Sequence, residues 1–292
     1  MKTKFRNYII LLFLAIVWGS SFILMKKGLE FFTYTQVATL RLFIAFLSLL
    51  PFIIRAFKKV AKKHWPAIII TAFLGNGIPA FLFTKAQTHL ESSFVGILNS
   101  LTPLFTLLFS IYFFNSKPSK NNIIGIIIGL IGAVILSSFD IGDVISFNYY
   151  TLFVISATLC YAISVNVIRK YLRDLDAISI SALAFLFLGP VSGIYVFSSN
   201  VIPLLLSEDG IKALIYIIIL AVIGTSFAVV IFNKLIKDSS AIFAASVTYL
   251  IPIIAIIWGI LDGENITTTH IIGSSIILCG VYLVNKKRES AR

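Results

Sequence analysis

Ten stretches of about 20 mainly apolar residues follow one another along this 292-residue chain, and no other feature restricts its fold as strongly. A helix needs about 20 residues to cross the roughly 30 Å hydrocarbon layer of a bilayer, where every backbone polar group must be bonded within the protein. The stretches predict an all-α integral membrane protein with ten transmembrane helices. They cover residues 8–25, 34–54, 66–84, 92–114, 123–139, 147–168, 177–199, 213–233, 239–261 and 267–285.

The composition excludes a soluble domain, because 59% of the residues are hydrophobic and only 12% are charged, against about 25% charged in soluble proteins. The net charge of +12 does not indicate nucleic-acid binding, since the basic residues lie between the apolar stretches. Cys160 and Cys279 both lie within apolar stretches, so we expect neither a disulfide framework nor a metal site. The sequence predicts no cofactor, and it contains no nucleophile and base pattern typical of an enzyme.

Basic residues alternate between the connecting segments in a way that predicts the orientation. If the N-terminus is cytoplasmic, the inner segments carry nineteen Lys and Arg, and the outer segments carry four: Lys26, Lys27, Lys85 and Lys212. Cytoplasmic loops of membrane proteins are enriched in these residues. We therefore expect a multi-pass protein of the cytoplasmic membrane with both termini in the cytoplasm.

The second half of the chain repeats the first at a spacing near 149 residues. This offset relates Gly75 to Gly224 and Pro103 to Pro252, and an offset of 143 relates Ser21 to Ser164. We assign the first repeat to residues 1–139 and the second to residues 140–292. Because each repeat holds five spans, an odd number, the two repeats should be inverted relative to each other, which places a binding site at their interface.

Spans 4 and 9 carry small or polar residues along one helix face at equivalent positions. Close helix packing and the lining of a cavity both explain such a face, and the cavity interpretation uses Asn99, Ser100, Thr248 and Tyr249. Mid-span prolines free a backbone carbonyl one turn earlier, so helix kinks are predicted at Pro103 and Pro252.

Arg41 is the only charged residue deep within a predicted span. Burying a guanidinium there is costly. The side chain either bonds helix carbonyls or extends outward to the membrane surface, or it binds a substrate carboxylate or phosphate. The other candidate substrate-binding residues are Trp18, Ser21, Asn76 and Tyr161. Lys85 and Glu91, at the outer ends of spans 3 and 4, are candidate gate residues.

Glycines in span 5, Gly125 and Gly129 with Gly132 nearby, fit helix packing either within a monomer or across a homodimer. The oligomeric state therefore stays open. The expected partners are a small-molecule substrate and the lipid bilayer.

Several motifs resemble the two EamA domains of the drug/metabolite transporter superfamily. The first domain is matched by Trp-Gly-Ser-Ser-Phe at 18–22, Leu-Arg-Leu-Phe-Ile-Ala at 40–45, Leu-Thr-Pro-Leu at 101–104 and the span 5 glycines. The second is matched by Cys-Tyr-Ala at 160–162, Leu-Ile-Pro at 250–252, Asp-Gly-Glu at 262–264 and the glycines at 273 and 280. Asn115 departs from the pattern, since the first domain usually has there the glutamate that the second keeps as Glu264.

The resemblance implies a ten-helix fold of two inverted five-helix repeats and alternating access to a central cavity. We expect a secondary transporter for a small polar metabolite, an amino acid or related compound, working in efflux. The alternatives are uptake of an anionic metabolite or nucleotide-like cofactor and, from other classes, a lipid scramblase or a membrane-embedded enzyme. No Asp or Glu lies deep in a span, which argues against a buried sodium site.

Overall fold

The computed structural model describes residues 2–114, 119–138, 148–205, 207–239 and 241–285. Within these ranges the regular structure is helical, without a β-strand. We number the membrane-length helices and their two shorter companions in chain order. They are α1 (Lys2–Leu29), α2 (Tyr34–Phe57), α3 (Lys62–Ala86), α4 (Ser92–Phe113), α5 (Lys120–Ser138), α6 (Tyr150–Tyr171), α7 (Ala177–Ser198), α8 (Glu208–Asp238), α9 (Phe243–Leu261) and α10 (Thr268–Asn285).

Eight helices in the described part of the chain, α1 to α4 and α6 to α9, are long and apolar enough to cross a membrane. The apolar parts of α5 and α10, Lys120–Gly132 and Thr268–Gly280, are shorter. The prediction of an all-helical multi-pass membrane protein is confirmed. The repeat boundary predicted at residues 139 and 140, the residue at 115 and the end of the chain lie outside the described residues.

Side-chain caps fix where two of the helices begin. Thr33 precedes α2, and its side chain accepts a hydrogen bond from the backbone N of Gln36, while the side-chain Oε1 of Gln36 accepts one from the backbone N of Thr33. Asp176 precedes α7 and accepts from the backbone N of Ser179 at 2.9 Å. These bonds satisfy N–H groups that a first helical turn leaves without partners, so the polar residues between spans also define the helix ends.

Equivalent helices of the two halves have equivalent neighbours. The two most extensive contacts join α2 to α7 and α5 to α10, which are the second and fifth helices of each half. Helix α1 packs against α8 and α9, and its counterpart α6 packs against α3 and α4. The side chains facing away from these contacts are apolar and exposed, as Val191 and Ile194 on α7 are, which suits a surface in contact with lipid.

Helices α5 and α10 approach closely through glycines. A Cβ atom on Gly280 would lie 2.5 Å from the backbone N of Gly129 and 2.6 Å from the carbonyl O of Gly125. One on Gly132 would lie 2.8 Å from the backbone N of Ile277. The glycines of span 5 therefore serve packing within one chain, the first of the two uses that their spacing predicted.

The helix geometry changes at matching places in both halves, near the middle of the bundle. A π-helical turn interrupts α3 at Phe73–Gly77 and α8 at Val222–Phe227. Asn76 Nδ2 donates to the carbonyl O of Thr71 at 3.1 Å, and Thr225 Oγ1 donates to that of Leu220 at 2.8 Å. The two bonds are related by the 149-residue offset. Each satisfies a carbonyl that the wider turn releases, and π turns of this kind are frequent at functional sites.

Two further interruptions lie in α4 and α9, directly before the mid-span prolines. A 3-10 turn occupies Asn99–Leu101 ahead of Pro103, and another occupies Ser246–Tyr249 ahead of Pro252. Proline cannot donate a hydrogen bond to the preceding turn, so the helix tightens there. Four irregular turns thus surround the centre of the protein.

Candidate functional site

A cavity of about 100 Å³ lies at the centre of the bundle, among the irregular turns. Its wall comes from α1, α2, α3, α4, α6, α8 and α9. The volume is enough for several water molecules or a small metabolite. Seven of the nine candidate substrate-binding residues line it: Trp18, Ser21, Arg41, Asn76, Asn99, Tyr161 and Thr248.

The other two candidates, Ser100 and Tyr249, lie outside the cavity lining. Ser100 is fully buried, and its Oγ donates to the carbonyl O of Ile97 at 2.6 Å. Tyr249 packs against a hydrophobic cluster. Each follows a lining residue directly, and one step along a 3-10 turn rotates the side-chain direction by about 120°, which directs it into the neighbouring packing.

Arg41 is the only ionisable side chain except Tyr161 in the lining, and it is 9% exposed. Its Nε donates to Thr225 Oγ1 at 2.7 Å. Among the described residues, neither terminal nitrogen of the guanidinium has a hydrogen-bond partner, and no carboxylate lies within 4 Å. The side chain therefore neither reaches the membrane surface nor uses its terminal nitrogens on helix carbonyls. Burying such donors is costly.

Two contacts that cross between the halves repeat each other around the cavity. Ser21 on α1 lies against Gly224 on α8, where a Cβ atom would come within 2.7 Å of Ser21 Oγ. Ser164 on α6 lies against Gly75 on α3, where a Cβ atom would meet Ser164 Oγ. Trp18 Nε1 also donates to the carbonyl O of Gly224 at 3.0 Å. Glycine at both places lets α1 and α6 approach the π turns closely.

Amide and aromatic groups complete the wall. The carbonyl O of Asn99, which Pro103 leaves without its helical partner, accepts from Thr102 Oγ1 at 2.8 Å. The rings of Phe83 and Tyr161 stack with centroids 5.7 Å apart, and Trp18 meets Phe232 edge-on at 4.8 Å. The cavity thus combines one cation, several amides and hydroxyls, and aromatic faces.

At one end of the bundle, six charged residues form an ionic cluster: Lys26, Lys27, Glu30, Glu91, Asp262 and Glu264. Lys26 Nζ lies 2.8 Å from carboxylate oxygens of both Asp262 and Glu264, and 3.2 Å from Glu91. Lys27 Nζ lies 2.7 Å from Asp262. The cluster joins the end of α1 and the start of α4 to the segment between α9 and α10, and therefore links the two halves.

Glu264 is the buried member of the cluster, with a side chain that has no exposed surface. Besides Lys26, it accepts from Ser92 Oγ at 2.6 Å and from the backbone N of Ser92 and Ser93 at 3.0 Å each. Burial opposes its ionisation, but the bonds from Lys26 and the two serines outweigh burial and lower its pKa to about 2. Glu264 is therefore ionised at neutral pH and holds the first turn of α4.

Both candidate gate residues lie at this same end. Glu91 is in the ionic cluster, where 47% of its side chain is exposed. Lys85 does not take part in the cluster; its Nζ lies 4.4 Å from the ring centroid of Tyr34, in a cation–π geometry.

At the opposite end, polar contacts again connect helices of the two halves. Lys59 pairs with Asp176 at 2.7 Å, and His64 Nε2 lies 2.9 Å from a carboxylate oxygen of Asp174. Bonds with His64 and with a neighbouring lysine lower the pKa of the Asp174 carboxyl to about 2. Within the second half, Arg169 donates hydrogen bonds from its side chain to two carbonyls at the end of α8.

Sequence reasoning missed several lining residues, and the internal repeat could have identified some of them. Ser164 is the counterpart of Ser21, and Thr225 is the counterpart of Asn76. Both counterparts were candidates, so applying the offsets would have placed Ser164 and Thr225 in the cavity. No comparable signal indicated Thr102 or Asn233, which also line it.

Comparison with known proteins identifies the architecture. The profile of the EamA-like transporter family matches the chain twice, over residues 6–138 and 148–286. An uncharacterized transporter of Archaeoglobus fulgidus is 24% identical over 97% of this chain and 100% of its own length. A Salmonella typhimurium protein named "Probable amino-acid metabolite efflux pump" is 21% identical over 93% and 92%. A chain of known crystal structure has the same fold, with a TM-score of 0.67, 14% identity and 96% coverage of both chains.

Proposed function

This chain belongs to the EamA-like transporter family, and from that premise we propose that it moves a small polar metabolite by alternating access between two inverted five-helix repeats. The observation that carries the proposal is the central cavity, which is lined by both halves and contains a buried guanidinium. Inverted-repeat transporters bind their substrate at such a place, where interrupted helices meet near the bilayer midplane.

Pairs of equivalent features support the inverted arrangement. The π turns of α3 and α8, the 3-10 turns of α4 and α9, and the contacts of Ser21 and Ser164 with glycine all occur once in each half. A cavity between two similar bodies opens to one side when they rock one way and to the other side when they rock back. The ionic cluster supports this mechanism, because it closes one end and must separate when that end opens.

The cargo class follows from the wall and from one relative. Amides, hydroxyls and a guanidinium suit the carboxylate group that an amino acid shares with related compounds. The name of the Salmonella relative supports efflux as the direction. Uptake of an anionic metabolite or nucleotide-like cofactor is the second candidate, and the free terminal nitrogens of Arg41 favour it.

The distribution of charge and glycine supports the remaining parts of the proposal. The distribution of nineteen basic residues on one side against four on the other favours cytoplasmic termini in a cytoplasmic membrane protein. The use of Gly129 and Gly280 for internal packing favours a monomer over a homodimer formed through α5. A scramblase would present polar groups to lipid, whereas the mid-span polar side chains around the cavity, such as Arg41, Asn76 and Asn99, are buried.

Counterflow in proteoliposomes tests the proposal. Vesicles containing the purified full chain are loaded with unlabelled amino acids, 2-oxo acids or nucleosides, and entry of the labelled compound is followed. We expect concentrative entry of at least one compound. Asn99→Trp, which fills the cavity, should abolish it, and Val191→Trp, on the exposed face of α7, should not.

Two results would count against the proposal. Equal flux in the Asn99→Trp variant would show that the cavity is not the pathway. Rapid exchange of fluorescent lipids between leaflets, without counterflow of any soluble compound, would favour the scramblase.

A further inference from the structure

We infer that the cargo is an organic monoanion, bound through its carboxylate by Arg41 and carrying no ammonium group. The inference rests on the proposed transport function and adds the charge of the substrate. It favours compounds such as 2-oxo acids over the amino acids that have the same carbon skeleton.

The wall of the cavity carries a net positive charge. The lining contains Arg41 and no Asp, Glu, Lys or His. An empty or water-filled site therefore carries a charge of +1 in the low-dielectric centre of the protein, where an unpaired charge is costly. A bound monoanion neutralises it. A phosphate monoester, with a charge near −2 at neutral pH, would leave an excess negative charge.

The geometry of the guanidinium fits a carboxylate. Thr225 fixes Nε at 2.7 Å, and Thr225 is itself fixed by its bond to the carbonyl O of Leu220. The side chain is thus anchored while both terminal nitrogens stay free among the described residues. A planar fork with free terminal N–H groups matches the two oxygens of a carboxylate. The side-chain N of Asn99, also without a partner in the described ranges, adds a donor to the same cavity.

The lining of the cavity offers no carboxylate to an ammonium group. The nearest charged groups along α1 are in the ionic cluster, where Asp262 and Glu264 already pair with lysines. Inside the cavity, an ammonium would meet only amide oxygens, hydroxyls and aromatic faces, close to a guanidinium of like charge. An amino acid would therefore bind with one charge uncompensated, and an amine with no attraction to Arg41.

The rest of the wall indicates the body of the substrate. Phe22, Phe83, Tyr161 and Phe232 surround the polar groups. Together with the small volume, these rings favour a short apolar skeleton over a sugar or a nucleoside.

A set of three compounds with the same isobutyl side chain tests the inference. Purified full-length protein is titrated with 4-methyl-2-oxopentanoate, leucine and 3-methylbutylamine, and binding is read from the ligand-dependent rise in melting temperature. We expect the oxo acid to bind at least about tenfold more tightly than leucine, a difference of about 1.4 kcal/mol. The amine should not bind.

Variants assign the effect to Arg41. Arg41→Gln should weaken oxo-acid binding by about 10- to 100-fold, Arg41→Lys should restore part of it, and the exposed Arg55→Gln on the same helix should change nothing. The melting temperature without ligand checks that each variant is folded. Leucine or the amine binding as tightly as the oxo acid, no binding of the oxo acid, or unchanged binding by Arg41→Gln would overturn the inference. Counterflow of leucine alone would overturn it and leave the transport function standing.

Discussion

The substitution Glu264→Gln tests whether the ionic cluster holds one end of the transporter closed. Glutamine keeps the size of the side chain but removes the charge that Lys26, Ser92 and Ser93 surround. It also turns an NH2 group towards some of these donors. If closure depends on this carboxylate, its loss shifts the protein towards the state that is open at this end.

The size of this shift follows from the contacts that Glu264 and Lys26 make. Removing one member of a buried ion pair costs about 3–5 kcal/mol, but Lys26 keeps Asp262 at 2.8 Å and is itself 28% exposed. A cost of about 2–3 kcal/mol is therefore reasonable, and at 1.4 kcal/mol per factor of ten it corresponds to a shift of about 30- to 150-fold. Glu91→Gln is the matched control, because this carboxylate pairs with the same lysine at 3.2 Å but is 47% exposed.

The assay is the alkylation of a cavity cysteine. Ser21→Cys is introduced after Cys160 and Cys279 are changed to serine, and the reaction with an impermeant maleimide is followed from the side of the cluster. We expect Glu264→Gln to accelerate the reaction by about 30- to 150-fold, and Glu91→Gln by less than about threefold, as exposed ion pairs contribute little. Equal rates for a folded Glu264→Gln variant and its parent, or equal effects of the two substitutions, would refute the reasoning.

Three further predictions concern stability. The folded-state pKa of Glu264 lies near 2 instead of 4.5, so its contribution to folding stability is complete above about pH 4.5 and is lost as the pH falls towards 2. The fall in melting temperature on acidification should therefore be smaller in Glu264→Gln than in the parent protein. An identical fall would contradict this. Gly280→Ala should lower the free energy of unfolding by about 1–3 kcal/mol, since the new Cβ would meet the backbone of α5. In Gly28→Ala the new Cβ would meet only the side chains of Ile217 and Val37, so this variant should lose less stability in the same thermal melts. The reverse order would argue against the glycine contact. Trp18→Phe, which removes the bond to the Gly224 carbonyl, should lower stability by about 1 kcal/mol, and an unchanged melt would show that this bond contributes nothing.

The sequence was sufficient for the membrane class because spanning helices are specified locally, by length and apolar content. Most of the candidate residues that it identified line the cavity, since a polar residue in mid-span is costly unless it faces the interior. Arg41 is the clearest case. Adjacent residues on one helix were harder to separate: Asn99 and Ser100 are both polar, and the 3-10 turn that directs Asn99 to the cavity and Ser100 to the packing is not visible in the pattern.

The partnerships across the fold were not predictable from the sequence. From the sequence, Glu264 is expected to be a loop residue near a span end. It is a buried carboxylate only because α1 and the first turn of α4 pack against it. The bond of Arg41 to Thr225 joins residues 184 positions apart. Such contacts depend on how the two halves pack. The repeat in the sequence reveals the two halves but not how they lie against each other.

The central claim is that one cavity is reached in turn from both sides of the membrane. Its most direct test is the labelling of a single cysteine, Asn99→Cys in the background without Cys160 and Cys279, by an impermeant maleimide in right-side-out and in inside-out vesicles. We expect labelling in both orientations of the vesicles, and slower labelling in both when 4-methyl-2-oxopentanoate is bound. Labelling from one side only, whether or not Glu264 is replaced by Gln, would contradict alternating access.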